Sequence, residues 1–258
     1  MATYKEIKGV TVQTKDEDPV ENVGSWAAGG DLNTARSENT GVGILTAALS
    51  IGGNTSPGAT AVVEQYNGTA WTETGDLNTA RRNTGAGGTY TSSIVAGGDT
   101  PGSDEVNNVE TWDGSSWTET TDANTARRLC AGVGSGSSDA FVFGGDTNPS
   151  PYTVNAETWD GSSWTEVANL NTARRLMGSA GITTASLCIG GDDPSADTAK
   201  NEFWNGTSWT ELGDLASAKS NNSGSGTTAA GLSMGGPPSL TTTEEWTGPL
   251  TNKTITAS

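Results

Sequence analysis

Five cations and five carboxylates recur at near-regular intervals along the 258-residue chain. Arg36, Arg81, Arg127, Arg174 and Lys219 are each followed by one of Glu64, Glu110, Glu157, Glu202 and Glu244. Two chemistries fit such a set. A ring of cations can hold an anion, and closely set carboxylates can work as an acid–base pair. The recurrence argues for a third role. Groups repeated in every unit share a structural job, and buried charges need partners. The spacing therefore predicts that each cation pairs with a glutamate and with backbone carbonyls between the units. Histidine is absent, which removes the commonest general base, the catalytic triad and most zinc and copper sites. Cys130 and Cys188 occupy different places in their repeats and read as small buried hydrophobes. No enzymatic activity, metal or cofactor is expected.

The elements that position these charges are legible as a repeat. Trp26, Trp71, Trp117, Trp164 and Trp209 each stand ten residues before one of the cations. Seven residues after each cation comes a glycine: Gly43, Gly88, Gly134, Gly181 and Gly226. An apolar run then ends in a Gly-Gly pair, and each glutamate stands two residues before an aromatic, as in Glu110 and Trp112. Each unit reads as four short strands. Asn67-Gly68, Asp113-Gly114, Asp160-Gly161 and Asn205-Gly206 lie between the third and fourth. Such dipeptides predict two-residue hairpins with positive φ at both central residues. Four-stranded antiparallel units of 40–50 residues are propeller blades. The small residues of the first strand suit the crowded axis.

Gly-Gly, Glu-x-aromatic, Trp and Arg in this order resemble the Kelch repeat, over residues 24–247. One departure is that the aromatic is usually Trp rather than Tyr. The resemblance implies an all-β, five-bladed Kelch-type propeller and no single activity. The fifth unit starts at Lys219 and reaches Trp246 without its last strand. Gly24-Ser25-Trp26-Ala27 supplies the missing piece in register, so the N-terminal strand is expected to close the last blade. The tail Lys253-Thr254-Ile255-Thr256 is the rival. Residues 1–23 read as a docking arm and linker, with Ile7, Val10 and Val12 as its apolar positions, and 248–258 as a C-terminal tail strand.

Asp-Gly-Ser-Ser-Trp is similar to the aspartate box of sialidases, but its glycine follows the aspartate directly and the arginines are spread over all repeats. Galactose oxidase shares Kelch repeats, but its copper site needs histidines. With 13 basic and 30 acidic residues the net charge is −17, which argues against nucleic-acid partners. No apolar run approaches the ~20 residues of a membrane span, and the first nine residues lack a secretory h-region. Synthesis in a cytoplasm is expected.

Loops on a rigid scaffold carry most binding functions. The segments after each Gly-Gly differ from blade to blade. Asp104, Tyr152 and Asp193 are the expected contacts there, Tyr152 as a platform for a sugar ring. A calcium site at Asp192-Asp193 has too few oxygens to stand alone. The strings Asn-Thr-Ala-Arg and Gly-Thr-Ser-Trp-Thr-Glu, and the start Met-Ala-Thr-Tyr-Lys-Glu-Ile, resemble Kelch-like virion proteins of marine bacteriophages. That resemblance implies a virion-surface structural protein, a tail fibre or appendage. Its arm would meet other virion proteins and its loops a host surface glycan or protein receptor. A capsid decoration protein and a cellular Kelch interaction module are the alternatives.

Overall fold

The computed structural model describes residues 28–56, 58–102, 104–237 and 241–248. These residues form an all-β propeller of five antiparallel sheets. Blade 1 consists of Thr40–Ile44, Ala47–Ile51, Val63–Tyr66 and Trp71–Glu73, in that order from the axis outward. Blade 2 has Gly85–Thr89, Ser92–Ala96, Val109–Trp112 and Trp117–Glu119, and blade 3 has Ala131–Gly136, Asp139–Phe143, Ala156–Trp159 and Trp164–Glu166. Gly178–Ile182, Ala185–Ile189, Asn201–Trp204 and Trp209–Glu211 make blade 4. Among the described residues blade 5 has three strands, Ser223–Gly226, Ala230–Met234 and Thr243–Thr247. The expected closing strand with Trp26, the arm with Ile7, Val10 and Val12, and the tail lie outside the described residues.

The inner strands pack on one another around the axis, and their small residues make this possible. A Cβ on Gly87 would stand 2.5 Å from the backbone of Val133 in the next blade, closer than any side chain tolerates. The second strand is the apolar layer, with Phe141 and Phe143 fully buried in blade 3. It ends where the chain must turn sharply beneath the next connection. Gly97 and Gly98 have φ of 67° and 100°, and the Gly98 N–H donates to the Arg127 carbonyl of the following segment at 2.8 Å. Residues with a Cβ avoid that backbone region, which accounts for Gly-Gly in every unit.

The hairpins between third and outer strands depart from the expectation. Trp112 pairs with Trp117, so residues 113–116 form a four-residue loop rather than a two-residue turn. Only the glycine takes positive φ, 98° at Gly114. The Asp113 carboxylate sets the geometry, its Oδ1 accepting from the N–H groups of Ser115 and Ser116 at 2.8 and 2.9 Å. Side-chain capping of this kind competes with the tight turn. Asn67 and Asn205 do the same in blades 1 and 4.

One residue per blade, Glu38, Asn83, Leu129, Leu176 and Asn221, holds a φ of 52–58° despite having a side chain. Their backbones link the blades in a chain about the axis. Asn83 N–H donates to Glu38, Leu129 to Asn83, Leu176 to Leu129 and Asn221 to Leu176, at 2.8–3.0 Å. These bonds compensate the unfavourable backbone conformation.

Candidate functional site

The repeated charges form five ion pairs that belong to the frame. Glu110 is the pattern. Its Oε2 accepts from the Asn78 N–H and Nδ2, and its Oε1 from the Thr79 N–H and from Arg81. Arg81 also donates to the carbonyls of Gly97 and Asn108. One carboxylate and one guanidinium thus fix the whole connection entering a blade, which explains why Asn-Thr-x-Arg recurs. Arg36–Glu64, Arg127–Glu157 and Arg174–Glu202 repeat the pair at 2.5–2.6 Å, with side chains almost wholly buried. Lys219–Glu244 at 2.8 Å is the fifth, with Glu244 partly exposed. Burial lowers the pKa of Arg81 against the attraction of Glu110. Burial alone would raise that of Glu64, but the donors of Asn33 and Thr34 and the charge of Arg36 bring it below its usual value. Glu64 and Glu110 thus each accept several donors, which suits them poorly to proton transfer.

Trp112, Trp117, Trp159, Trp164, Trp204 and Trp209 are buried between neighbouring blades, and Trp71 is half-buried. Cys188 is buried among apolar side chains, which pushes its thiol up to about 11, and burial raises Cys130 as well. Neither thiol is poised to react.

A second arginine follows the first in three blades, and its role was not anticipated from the sequence. Arg82, Arg128 and Arg175 lie on the face that carries the connections and the loops after Gly-Gly. Each pairs through its backbone with the aspartate after the next Gly-Gly: Asp99, Asp146 and Asp192. The side chains repeat the link. Arg82 Nε donates to Asp99 at 2.7 Å and its NH1 to Glu38 at 2.9 Å. Arg128 reaches Asp146 at 3.3 Å and approaches Asp104 and Glu105 at 3.7 Å. Arg175 bridges Asp146 and Asp192, both at 3.1 Å. The Arg-Arg doublets at 81–82, 127–128 and 174–175 were the available signal.

The three expected loop contacts lie on this face, with Tyr152 bonded to the neighbour of Asp193 and Asp104 at a separate cleft. Asp104 is 84% exposed at the rim of an open cleft of about 870 Å³ between the loops of blades 1 and 2. The cleft is lined by Asn54, Thr55, Ser56, Arg82, Asp99 and Thr100 among others. Tyr152 is engaged elsewhere. Its hydroxyl donates to Asp192 at 2.9 Å, and the Arg175 guanidinium sits 4.8 Å from its ring centroid. Burial and the bond to Asp192 raise its pKa. Asp193 closes its own loop, accepting from the N–H groups of Ser195 and Ala196. Asp192 is likewise engaged by Arg175 and Tyr152.

The opposite face carries the tips between first and second strands. Ile44, Leu45, Tyr90 and Ile182, the exposed large hydrophobics among the described residues, all stand there. A polar ligand is therefore better served by the loop face, where guanidinium, carboxylate, hydroxyl and amide groups converge on one cleft. No family model matches the chain, and no curated protein matches it.

Proposed function

We propose that this chain is a Kelch-type virion structural protein of a bacteriophage, a tail fibre or tail appendage, that binds a host surface glycan through its loop face. The observation that carries the binding part is the cleft beside Arg82, Asp99 and Asp104. It is polar and open, and beside the repeated Arg82–Asp99 pair it is lined by Thr55, Ser56, Thr100 and Asp104 from loops that differ between blades. Sugars are recognised by such arrays of fixed donors and acceptors, with Arg82 held in place by Glu38 and Asp99. The virion part rests on the likeness of the repeat strings and of the N-terminal start to Kelch-like proteins of marine bacteriophages. In this reading the arm containing Ile7, Val10 and Val12 docks on other virion proteins.

The test is the purified particle. The chain should co-purify with virions through density-gradient centrifugation, and a tag on it should label the tail by electron microscopy. Absence from particles would refute the virion assignment. A label on the head would move the assignment to a capsid decoration protein.

A further inference from the structure

Glu38, Asn83, Leu129, Leu176 and Asn221, the five residues with side chains at positive φ, ring a cavity on the propeller axis. Its volume is about 400 Å³, and all five blades line it, through residues within 38–41, 83–86, 129–132, 176–179 and 221–224. Small-molecule pockets typically span ~300–1,000 Å³. Asn83, Leu129 and Leu176 directly follow Arg82, Arg128 and Arg175, which places the mouth on the loop face. The rim is fixed by the backbone bonds that run from Glu38 through Asn83, Leu129 and Leu176 to Asn221 at 2.8–3.0 Å. Its side chains are therefore presented from a rigid frame, which lowers the cost of ordering them around a ligand.

One backbone geometry carries different side chains in each blade, and they are sorted around the ring. Blades 5, 1 and 2 contribute Asn221, Glu38 and Asn83, and blades 3 and 4 contribute Leu129 and Leu176. The next position repeats the division, with Asn222, Asn39 and Thr84 on one arc and Cys130 and Met177 on the other. One side of the cavity is thus polar and the other apolar. The polar arc keeps unused groups. Glu38 Oε2 accepts from Arg82 at 2.9 Å, while its Oε1 accepts no bond among the described residues. Asn83 donates its Nδ2 to Asp99 at 2.9 Å, while its Oδ1 accepts none among them. The exposed Asn221 amide makes no side-chain bond among them either. No described cation lines the cavity, and its one carboxylate is already paired with Arg82. A carboxylated sugar would find no free positive charge there.

We infer that this cavity takes a 6-deoxyhexose as the terminal unit of the ligand, an assignment that rests on the glycan-binding reading above. Such a sugar carries hydroxyls along one edge and a methyl group on another. The hydroxyls donate to Glu38 and Asn83 and pair with the Asn221 amide, and the methyl group rests on Leu129 and Leu176. A hydroxyl in place of that methyl hydrogen would give up its water against the leucines without gaining a partner. The cavity adjoins the cleft, because Glu38 lines the first, Arg82 lines the second, and the two are bonded to each other. A glycan lying in the cleft can therefore end at the axis.

The test uses the full chain, isotope-labelled at its leucine methyls. It is titrated with methyl α-L-rhamnoside and methyl α-L-fucoside, and with their 6-hydroxylated counterparts, methyl α-L-mannoside and methyl α-L-galactoside. At least one 6-deoxy sugar should shift the Leu129 and Leu176 methyl signals saturably, with a Kd about tenfold or more below that of its counterpart. The L129N/L176N variant should lose this preference. Asn already holds the same backbone conformation at 83 and 221, and it is enriched there among residues with side chains, so the variant should fold with unaltered melting. No saturable shift with either 6-deoxy sugar, equal affinity for the 6-hydroxylated sugars, or an unchanged preference in L129N/L176N would overturn the inference. Glycan binding that is weakened by T100A/D104A but indifferent to the 6-position would overturn it as well, and would leave the cleft reading standing. Saturable binding of a 6-deoxy sugar by a chain absent from purified virions would uphold the cavity and refute only the virion assignment.

Discussion

At the scale of single residues, the frame depends on a few buried groups whose removal leaves something uncompensated. Trp117 is 6% exposed and fills the seat made by Leu49, Ile51, Val63 and Leu77. Trp117→Ala should cost roughly 3–5 kcal/mol, the usual range for a large aromatic lost from a core. Chemical denaturation would measure it, and a loss under about 1 kcal/mol would show that the position does not pack the blades. The ion pairs make a different demand. Glu157→Ala would leave the Arg127 guanidinium buried and opposed only by carbonyls, together with two unpaired N–H groups of Asn124 and Thr125. Breaking a buried pair from one side typically costs about 3–5 kcal/mol. Glu244→Ala should cost less, because Glu244 is partly exposed and Ala216 stands where the other blades have Asn. Equal losses at the two positions, measured in the same denaturant series, would contradict this ranking. The pairing itself was legible from the shared register of cation and glutamate. The role of Asn was not, because its side chain works through a carboxylate some thirty residues away.

At the scale of elements, the four strands of each unit were readable because apolar runs, Gly-Gly pairs and indoles mark their ends. The Asp-Gly and Asn-Gly turns were misread, for a physical reason. Asp113 and Asp160 use their carboxylates to accept two backbone N–H groups each, and the loop widens to four residues. Those donors, with the Ser115 and Ser162 hydroxyls foremost, hold both carboxyls down to about 2. The ordinary aspartate value is about 3.9. A depressed folded-state value means that the stabilisation is complete above the unfolded pKa and is lost as pH falls through the folded one. The two turns should therefore keep their geometry down to about pH 4 and loosen between 4 and 2. Asp113→Asn should preserve the turn at neutral pH, as Asn67 and Asn205 do, and remove its share of the acid dependence. Amide chemical shifts of Ser115 and Ser116 across an acid titration would report this. An acid transition that persists unchanged at those two amides in the variant would contradict it.

At the scale of the whole molecule, closure is the main structural question and surface division the main functional one. The ring order of five blades followed from repeat spacing alone. The ladder of Arg82, Arg128 and Arg175 with Asp99, Asp146 and Asp192 did not, since these pairs form only once neighbouring loops and connections share a face. The same reason explains why Asp104, Tyr152 and Asp193 were grouped from the sequence. Composition identifies loop residues, but only the fold shows that Asp104 borders an open cleft while Tyr152 is held by Arg175 and Asp192. In the proposed function the frame is passive and the cleft is the recognition surface. The most direct measurement is binding of the fluorescently labelled full chain to an array of bacterial surface polysaccharides and neutral oligosaccharides. The chain should bind at least one glycan, and the T100A/D104A double variant should bind it at least about tenfold more weakly, a change of about 1.4 kcal/mol. Melting should be unaltered, and Ser115→Ala on the opposite face should bind as the parent does. Binding to no glycan, or equal binding by parent and double variant, would contradict the account.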